Sequence, residues 1–149
     1  MNEINVKLKL TREGAALPAY ATEGSAAVDL RAVIDAPVIL TPGERALIPT
    51  GIAIAPETAG VVAIVAARSG LSIKHGIALT NGIGVIDSDY RGEIGVSLTN
   101  QSDKPYTVSP GDRIAQLMFI PVLHANLILS ETLDETVRGE GGFGSTGKN

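Results

Sequence analysis

The chain has 149 residues, 44% of them apolar but only five aromatic, with no Trp, no Cys and a net charge of −4. That length suits one domain with a real core, which has to be built from Val, Ile, Leu and Ala. The acidic balance excludes a basic face for duplex nucleic acid, and the lack of Cys excludes disulfides and thiolate metal sites.

The longest apolar runs, Val61–Ala67 and Leu117–Leu123, are too short to span a bilayer. Met1–Asn5 has neither the basic nor the apolar region of a signal peptide, so the expected location is the cytoplasm, with neither a nucleic-acid polymer nor a membrane as partner. Ile4, Val6, Leu8 and Leu10 alternate with Asn5, Lys7 and Lys9, the period of a strand. Residues 11–27 show no period. Val28, Leu30 and Ala32 alternate with Asp29 and Arg31, which puts Asp29 on the face opposite the apolar one. Val38–Leu40 is a short strand, and Thr41-Pro42-Gly43-Glu44 has Pro and Gly where a type II turn needs them. Ala46–Ile48 and Gly51–Ala55 read as strands broken by Pro49, and Val61–Ala66 as a buried strand. Arg68-Ser69-Gly70 then leaves the strand, and Leu71–His75 reads as one short helix with Ser69 as its cap and Gly76 as its stop.

The densest cluster of polar and glycine residues is Thr80–Glu93. Asn81-Gly82 between β-formers predicts a hairpin, with Ile77–Leu79 as one arm and Val85-Ile86 as the other. Asp87–Gly92 reads as a second turn, which places Asp87 and Tyr90 toward one space. A tip with a side-chain amide and exposed main-chain groups can read the edge of a planar base; taken alone, the stretch is equally an ordinary hairpin with a solvated acidic turn. Ile94–Leu98, Tyr106–Val108 and Arg113–Val122 are further strands, the last of them the longest, and residues 126–133 are a final strand candidate. Ser109-Pro110-Gly111-Asp112-Arg113 repeats the chemistry of Thr41–Arg45, the same turn used twice. Short strands joined by Pro-Gly turns indicate an all-β sandwich or barrel over residues 1–137.

Residues 138–149 hold five glycines between Arg138 and Gly147 and read as a flexible C-terminal arm. Its Gly142-to-Lys148 string approaches a phosphate-binding P-loop, but Asn149 stands where Ser or Thr is required and no strand–loop–helix context exists. Glycine amides with Arg138, Ser145 and Thr146 are still suited to phosphate oxygens. Phe143, one of two Phe in the chain, suits a lid that stacks on a ring. Taken alone, Arg68-Ser69 is equally a strand-end phosphate contact or a helix cap with a surface Arg, and Asp29 and Gln116 are ordinary polar strand residues. His75 and His124 lack neighbours at ligand spacing, and no Ser-His-Asp pattern is visible.

In combination, five segments resemble the trimeric deoxyuridine triphosphatase (dUTPase) family over the whole chain. They are Ala27–Ala32, Arg68–Leu71, Asn81 through Gly84–Gly92, Gly111–Leu117, and Arg138-Gly139 through Gly141–Gly147, in the family's order. Ala67 stands where the family usually has Pro and Ser72 where Ala is common, and neither carries chemistry. The resemblance implies a jelly-roll (β-clip) subunit with one short helix, and a homotrimer with shared active sites. It implies hydrolysis of dUTP to dUMP and pyrophosphate with Mg2+, lowering dUTP and supplying dUMP for thymidylate synthesis. By that resemblance Asp87 is the general base; Asn81 with the main chain of Gly84, Val85 and Ile86 takes uracil; and Tyr90 lies under the deoxyribose. Arg68, Ser69, Gly70 and Gln116 hold phosphate oxygens, Asp29 reaches the metal through water, and the arm closes with Phe143 on the base and Arg138, Ser145 and Thr146 on the γ-phosphate. The rival readings are a dCTP deaminase-like enzyme, which needs an acid beside the cytosine amino group, and a non-catalytic nucleotide-sensing trimer.

Overall fold

The computed structural model describes residues 3–142. Among them run eleven strands and one short helix: β1 (Val6–Leu10), β2 (Val28–Arg31), β3 (Val38–Leu40), β4 (Arg45–Pro49), β5 (Ile52–Pro56), β6 (Val61–Ala66), α1 (Ser69–His75), β7 (Ile77–Leu79), β8 (Gly84–Ile86), β9 (Gly95–Asn100), β10 (Tyr106–Val108) and β11 (Arg113–Pro121). Every pairing is antiparallel. The largest sheet has the order β2-β11-β6-β8, a second is β4-β9-β7, and β1 with β5 and β3 with β10 form two ribbons. The expected all-β jelly-roll class holds, and no helix among the described residues is long and apolar enough to cross a membrane.

Strand alternation builds the core. β6 buries Val61, Ala63 and Val65, and β9 buries Val96, Leu98 and Asn100, every second residue in each case. With Leu30, Leu40, Ile48, Ile52, Ile77, Ile94 and Ile114 these make one aliphatic cluster, each large side chain contributing roughly 1.5–3 kcal/mol by leaving water. Thr50 and Asn100 are the buried polar residues, and Asn100 is 0% exposed. Its amide nitrogen donates to the carbonyls of Leu40 and Lys104 at 2.8 and 2.7 Å, and its oxygen accepts from the Ser102 amide and hydroxyl. With those partners its burial is tolerable, and it ties β3, β9 and the turn into β10 together.

The repeated turn is repeated in three dimensions. Gly43 and Gly111 have φ of 81° and 82°, the left-handed region a type II turn requires. Glu44 and Asp112 each return a carboxylate oxygen to the first amide of the turn, at 2.8 Å. Each turn also docks reciprocally on another strand's end, Gly43–Glu44 on Asn100 and Gly111–Asp112 on Ala32.

Four expectations are corrected. The Asn81-Gly82 turn forms, with the Gly82 N–H donating to Leu79 O at 3.1 Å, but it does not close a hairpin. β7 pairs with β9 while β8 pairs with β6, so the turn carries the chain from one sheet to another. The Asn-Gly signal reports local backbone conformation, and the pairing is decided by strands remote in sequence. Second, Pro49 lies inside β4, opposite Gly95, and the break falls at Thr50-Gly51. There Gly51 takes φ of 69° and a Cβ would run into Ala15. Third, Arg68 is the N-cap of α1 and no side chain caps it, so the Ser69 hydroxyl does not serve as a cap, whereas Gly76 ends the helix at φ 66° as expected. Fourth, residues 126–133 form no strand: none of the described strands pairs with them.

Candidate active site

The candidate residues gather into two groups on the β2-β11-β6-β8 sheet and its flanks. The first lies on β8 and the turns at its two ends. β8 is an edge strand, bonded to β6 on one side through the pairs Val65↔Gly84, Ile64↔Val85 and Ala63↔Ile86. Because β7 goes elsewhere, its outer edge keeps main-chain donors and acceptors without partners among the described residues. Asn81 is exposed in the turn before it. Gly84 is needed for the close approach, since a Cβ there would sit 3.0 Å from the Val65 side chain.

After β8 the chain turns at once, Tyr90 N–H donating to Asp87 O at 3.1 Å. Arg91 braces the turn by donating to the carbonyls of Ser88 and Tyr90 at 2.7 and 3.0 Å. The Tyr90 hydroxyl donates to the Glu93 carbonyl at 3.1 Å, and any side chain on Gly92 would collide with the Tyr90 ring. Asp87 and Tyr90 therefore share one cavity of about 520 Å³, together with Ile86, Leu47, Arg12 and Glu93. The Asp87 carboxylate is exposed and has no hydrogen-bond partner among the described residues, so it is available to a water or ligand.

Glu93 is the anchored acid of this group. Arg12 Nε donates to both of its oxygens, at 2.7 and 3.0 Å, and the Gly51 N–H donates at 2.8 Å. Partial burial pushes its carboxyl upward, but the Arg12 hydrogen bond, the Gly51 amide and the Arg12 charge together outweigh this and hold it below the ordinary glutamate value.

The second group spans β2, β11 and the end of β6. Register places Gln116 between Asp29 and Ala66. Asp29 bridges two arginines, Arg68 Nε to one oxygen at 2.8 Å and Arg113 Nη1 to the other at 3.1 Å. Arg68 also donates to the Arg113 carbonyl at 3.2 Å, and Gln116 donates to Ala67 O at 3.0 Å. Ser69 and Gly70 follow directly, exposed, at the start of α1. Two guanidiniums against one carboxylate leave a local excess of positive charge in an acidic chain. That is the complement an anion needs.

Asp29 and Arg113 line a different, larger cavity of about 620 Å³. Both groups share the β6 ladder, but among the described residues no side-chain hydrogen bond or ion pair joins them. Arg138 is exposed in a segment without regular structure, where Gly141 N–H donates back to its carbonyl at 3.1 Å. Phe143, Ser145 and Thr146 lie outside the described residues. No cluster of three or more His, Cys, Asp or Glu able to cage a metal exists among the described residues.

Three residues of these groups escape a reading by sequence: Arg12, Glu93 and Arg113. Arg12 lies in a stretch without periodicity, and its partner is 81 residues away. Glu93 borders the Asp87–Gly92 turn, and that adjacency is the one available signal.

A family model described as dUTPase matches residues 13–147. The chain is 55% identical over 149 residues to the deoxyuridine 5'-triphosphate nucleotidohydrolase of Desulfitobacterium hafniense (strain DSM 10664 / DCB-2), covering 99% of each. It is 50% identical over 150 residues to the protein of that name from Sodalis glossinidius, again covering 99% of each. Among solved structures, it is similar to a variant of the Staphylococcus bacteriophage 80alpha dUTPase with dUpNHpp. The TM-score there is 0.87 at 27% identity, over 97% of this chain and 99% of that one.

Proposed function

The chain belongs to the dUTPase family, and on that premise we propose that it hydrolyses dUTP to dUMP and pyrophosphate at sites shared between three copies of itself. The observation that carries the proposal is the free edge of β8 beside Asn81 on one side and the Asp87–Tyr90 turn on the other. Uracil presents acceptor, donor and acceptor along its pairing edge, and an unpaired strand edge offers N–H and C=O groups in alternation. Cytosine reverses part of that pattern and would leave buried groups unpaired, a strong basis for discrimination. Tyr90, held against the Glu93 carbonyl, occupies the space a 2′-hydroxyl would need.

Asp87 is the general base. Its carboxylate accepts a proton from a water, the water oxygen bonds to the α-phosphorus, and the bond from that phosphorus to the β-bridging oxygen breaks, releasing pyrophosphate. Arg68, Ser69, Gly70 and Gln116 bind phosphate oxygens. The arm from Arg138 onward closes over the triphosphate, Phe143 stacking on the base and Arg138, Ser145 and Thr146 on the γ-phosphate.

With no cluster of three or more His, Cys, Asp or Glu among the described residues, magnesium would be held mainly by the triphosphate and water, and Asp29 would reach it through water. When bound, it supplies neutralisation of phosphate charge. The reaction lowers dUTP and supplies dUMP.

The homotrimer is supported by the separation of the two groups within one chain. It is also supported by the tail after β11, where Leu123, Leu127, Ile128, Leu133 and the fully exposed Leu129 stand open among the described residues. Pyrophosphate and orthophosphate release are to be measured with dUTP, dCTP, dTTP and UTP in the presence of Mg2+. Pyrophosphate from dUTP alone is expected; orthophosphate would place the attack elsewhere than the α-phosphorus, and ammonia from dCTP would indicate a deaminase.

A further inference from the structure

We propose that Arg12 and Glu93 are a positioning pair that sets how strongly the site rejects a ribonucleotide, by fixing the place of Tyr90. This rests on the assignment of Tyr90 to the sugar. Glu93 connects two things at once. Its side chain is clamped by Arg12 at 2.7 and 3.0 Å and by the Gly51 amide at 2.8 Å, while its main-chain carbonyl accepts the Tyr90 hydroxyl at 3.1 Å. That carbonyl is the hydroxyl's partner in the structure, so the ring's position follows the carbonyl's, and the carbonyl's follows the clamp.

The surroundings stiffen the same point. Ile94 N–H donates to Ile52 O at 2.8 Å, and the Thr50 hydroxyl donates to the Ile94 carbonyl. Thr11 N–H donates to Gly51 O at 2.8 Å, so the segment carrying Arg12 and the segment receiving Glu93 are themselves joined. The Tyr90 ring lies close over Gly92, where any Cβ would collide with it.

The pair is no solvated ornament. Its side chains are 49% and 23% exposed for Arg12 and Glu93, and both line the cavity that holds Asp87 and Tyr90. Sequence reading passes over both residues, and neither is needed for the proposed chemistry at phosphorus. What they supply is steric definition. A 2′-hydroxyl is excluded only if the ring stays in place, and a small displacement of a wall is enough to admit it.

The test compares kcat/KM for dUTP and UTP in the full-length assembled protein for Arg12→Met, Arg12→Lys, Glu93→Gln and the Arg12→Met/Glu93→Gln double variant. Arg12→Met should lower the dUTP:UTP ratio about tenfold, chiefly by raising UTP turnover. Glu93→Gln keeps an acceptor for the Gly51 amide and loses the charge, and should lower the ratio less. The double variant should fall no further than the worse single one, because the two act through one contact. Ratios equal to wild type in all of them, alongside a lower melting temperature, would show a purely structural pair and overturn the proposal. Arg12 is a surface residue, and Arg12→Lys keeps its charge without the planar fork, so a foldable variant is available. Tyr90→Ala separates the two levels of inference. If it leaves the ratio unchanged, the assignment of Tyr90 to the sugar is wrong. If it abolishes discrimination while Arg12→Met does not, the assignment stands and the pair's role falls.

Discussion

Asp87 and Glu93 are six residues apart on one turn, and their surroundings prepare them for different work. Asp87 is exposed on the cavity wall without a hydrogen-bond partner among the described residues, which suits a group that must accept a proton. Asp87→Asn keeps the shape and loses the acceptor. Turnover should fall roughly 10²–10⁴-fold while dUpNHpp affinity, read by calorimetry, stays near wild type; normal turnover would mean the base lies elsewhere. Glu93, by contrast, has a carboxyl lowered below its ordinary value against the opposing effect of partial burial. A group with a depressed folded-state pKa adds stability above its unfolded value, and that stability is lost as pH falls through the folded one. Glu93→Gln should therefore be less stable than wild type at neutral pH, and the urea midpoints of the two should converge as pH drops below the ordinary glutamate value of 4.5. A constant gap down to the lowest pH would show that the charge on Glu93 is not what matters. The placing of Asp87 beside Tyr90 on one turn was legible because both sit among turn-forming residues. Arg12 was not, because nothing local marks a residue whose partner lies 81 positions on.

At the scale of elements, period-two alternation identified β1 and β2, apolar stretches between turns identified β6, β9 and β11 to within a residue or two, and the Pro-Gly turns identified their own conformation. Pairing was less accessible. Asn81-Gly82 forms a tight turn, but β7 is claimed by β9 and β8 by β6. Those choices belong to strands outside any local window, and a true hairpin would have covered the edge of β8 to which the proposal assigns the base. The tail after β11 shows the same limit. Its apolar residues at 126–133 carry strand propensity, yet a strand needs a partner and none of the described strands pairs with them. The arm is the element whose role is most separable from folding, since the core cluster contains nothing beyond β11 and its partly buried neighbours. A chain ended before Arg138 should keep its melting temperature and assembly state but lose most dUTP turnover, because the triphosphate would stay wet and poorly aligned. Full activity in that truncated chain would remove the arm from the mechanism.

For the whole molecule, the decisive feature is that one subunit holds the free β8 edge with Asp87 and Tyr90, and separately an arginine–carboxylate cluster with Arg68 and Gln116, with no side-chain hydrogen bond or ion pair between them among the described residues. The proposed trimer is a closed cyclic assembly, in which a heterologous interface would bring one copy's β8 edge to the next copy's cluster. Such a site can be rebuilt from two broken chains. Asp87→Asn retains Arg68, and Arg68→Ala retains Asp87. Each homotrimer should be nearly inactive. In any mixed trimer, however, one of the three interfaces pairs an intact Asp87 with an intact Arg68. Co-expression with two different tags and purification through both would isolate the mixed species for a pyrophosphate assay. A shared site predicts about a third of wild-type dUTP turnover per trimer; mixed trimers no more active than their parents would place both groups of every site within one subunit and contradict the shared arrangement.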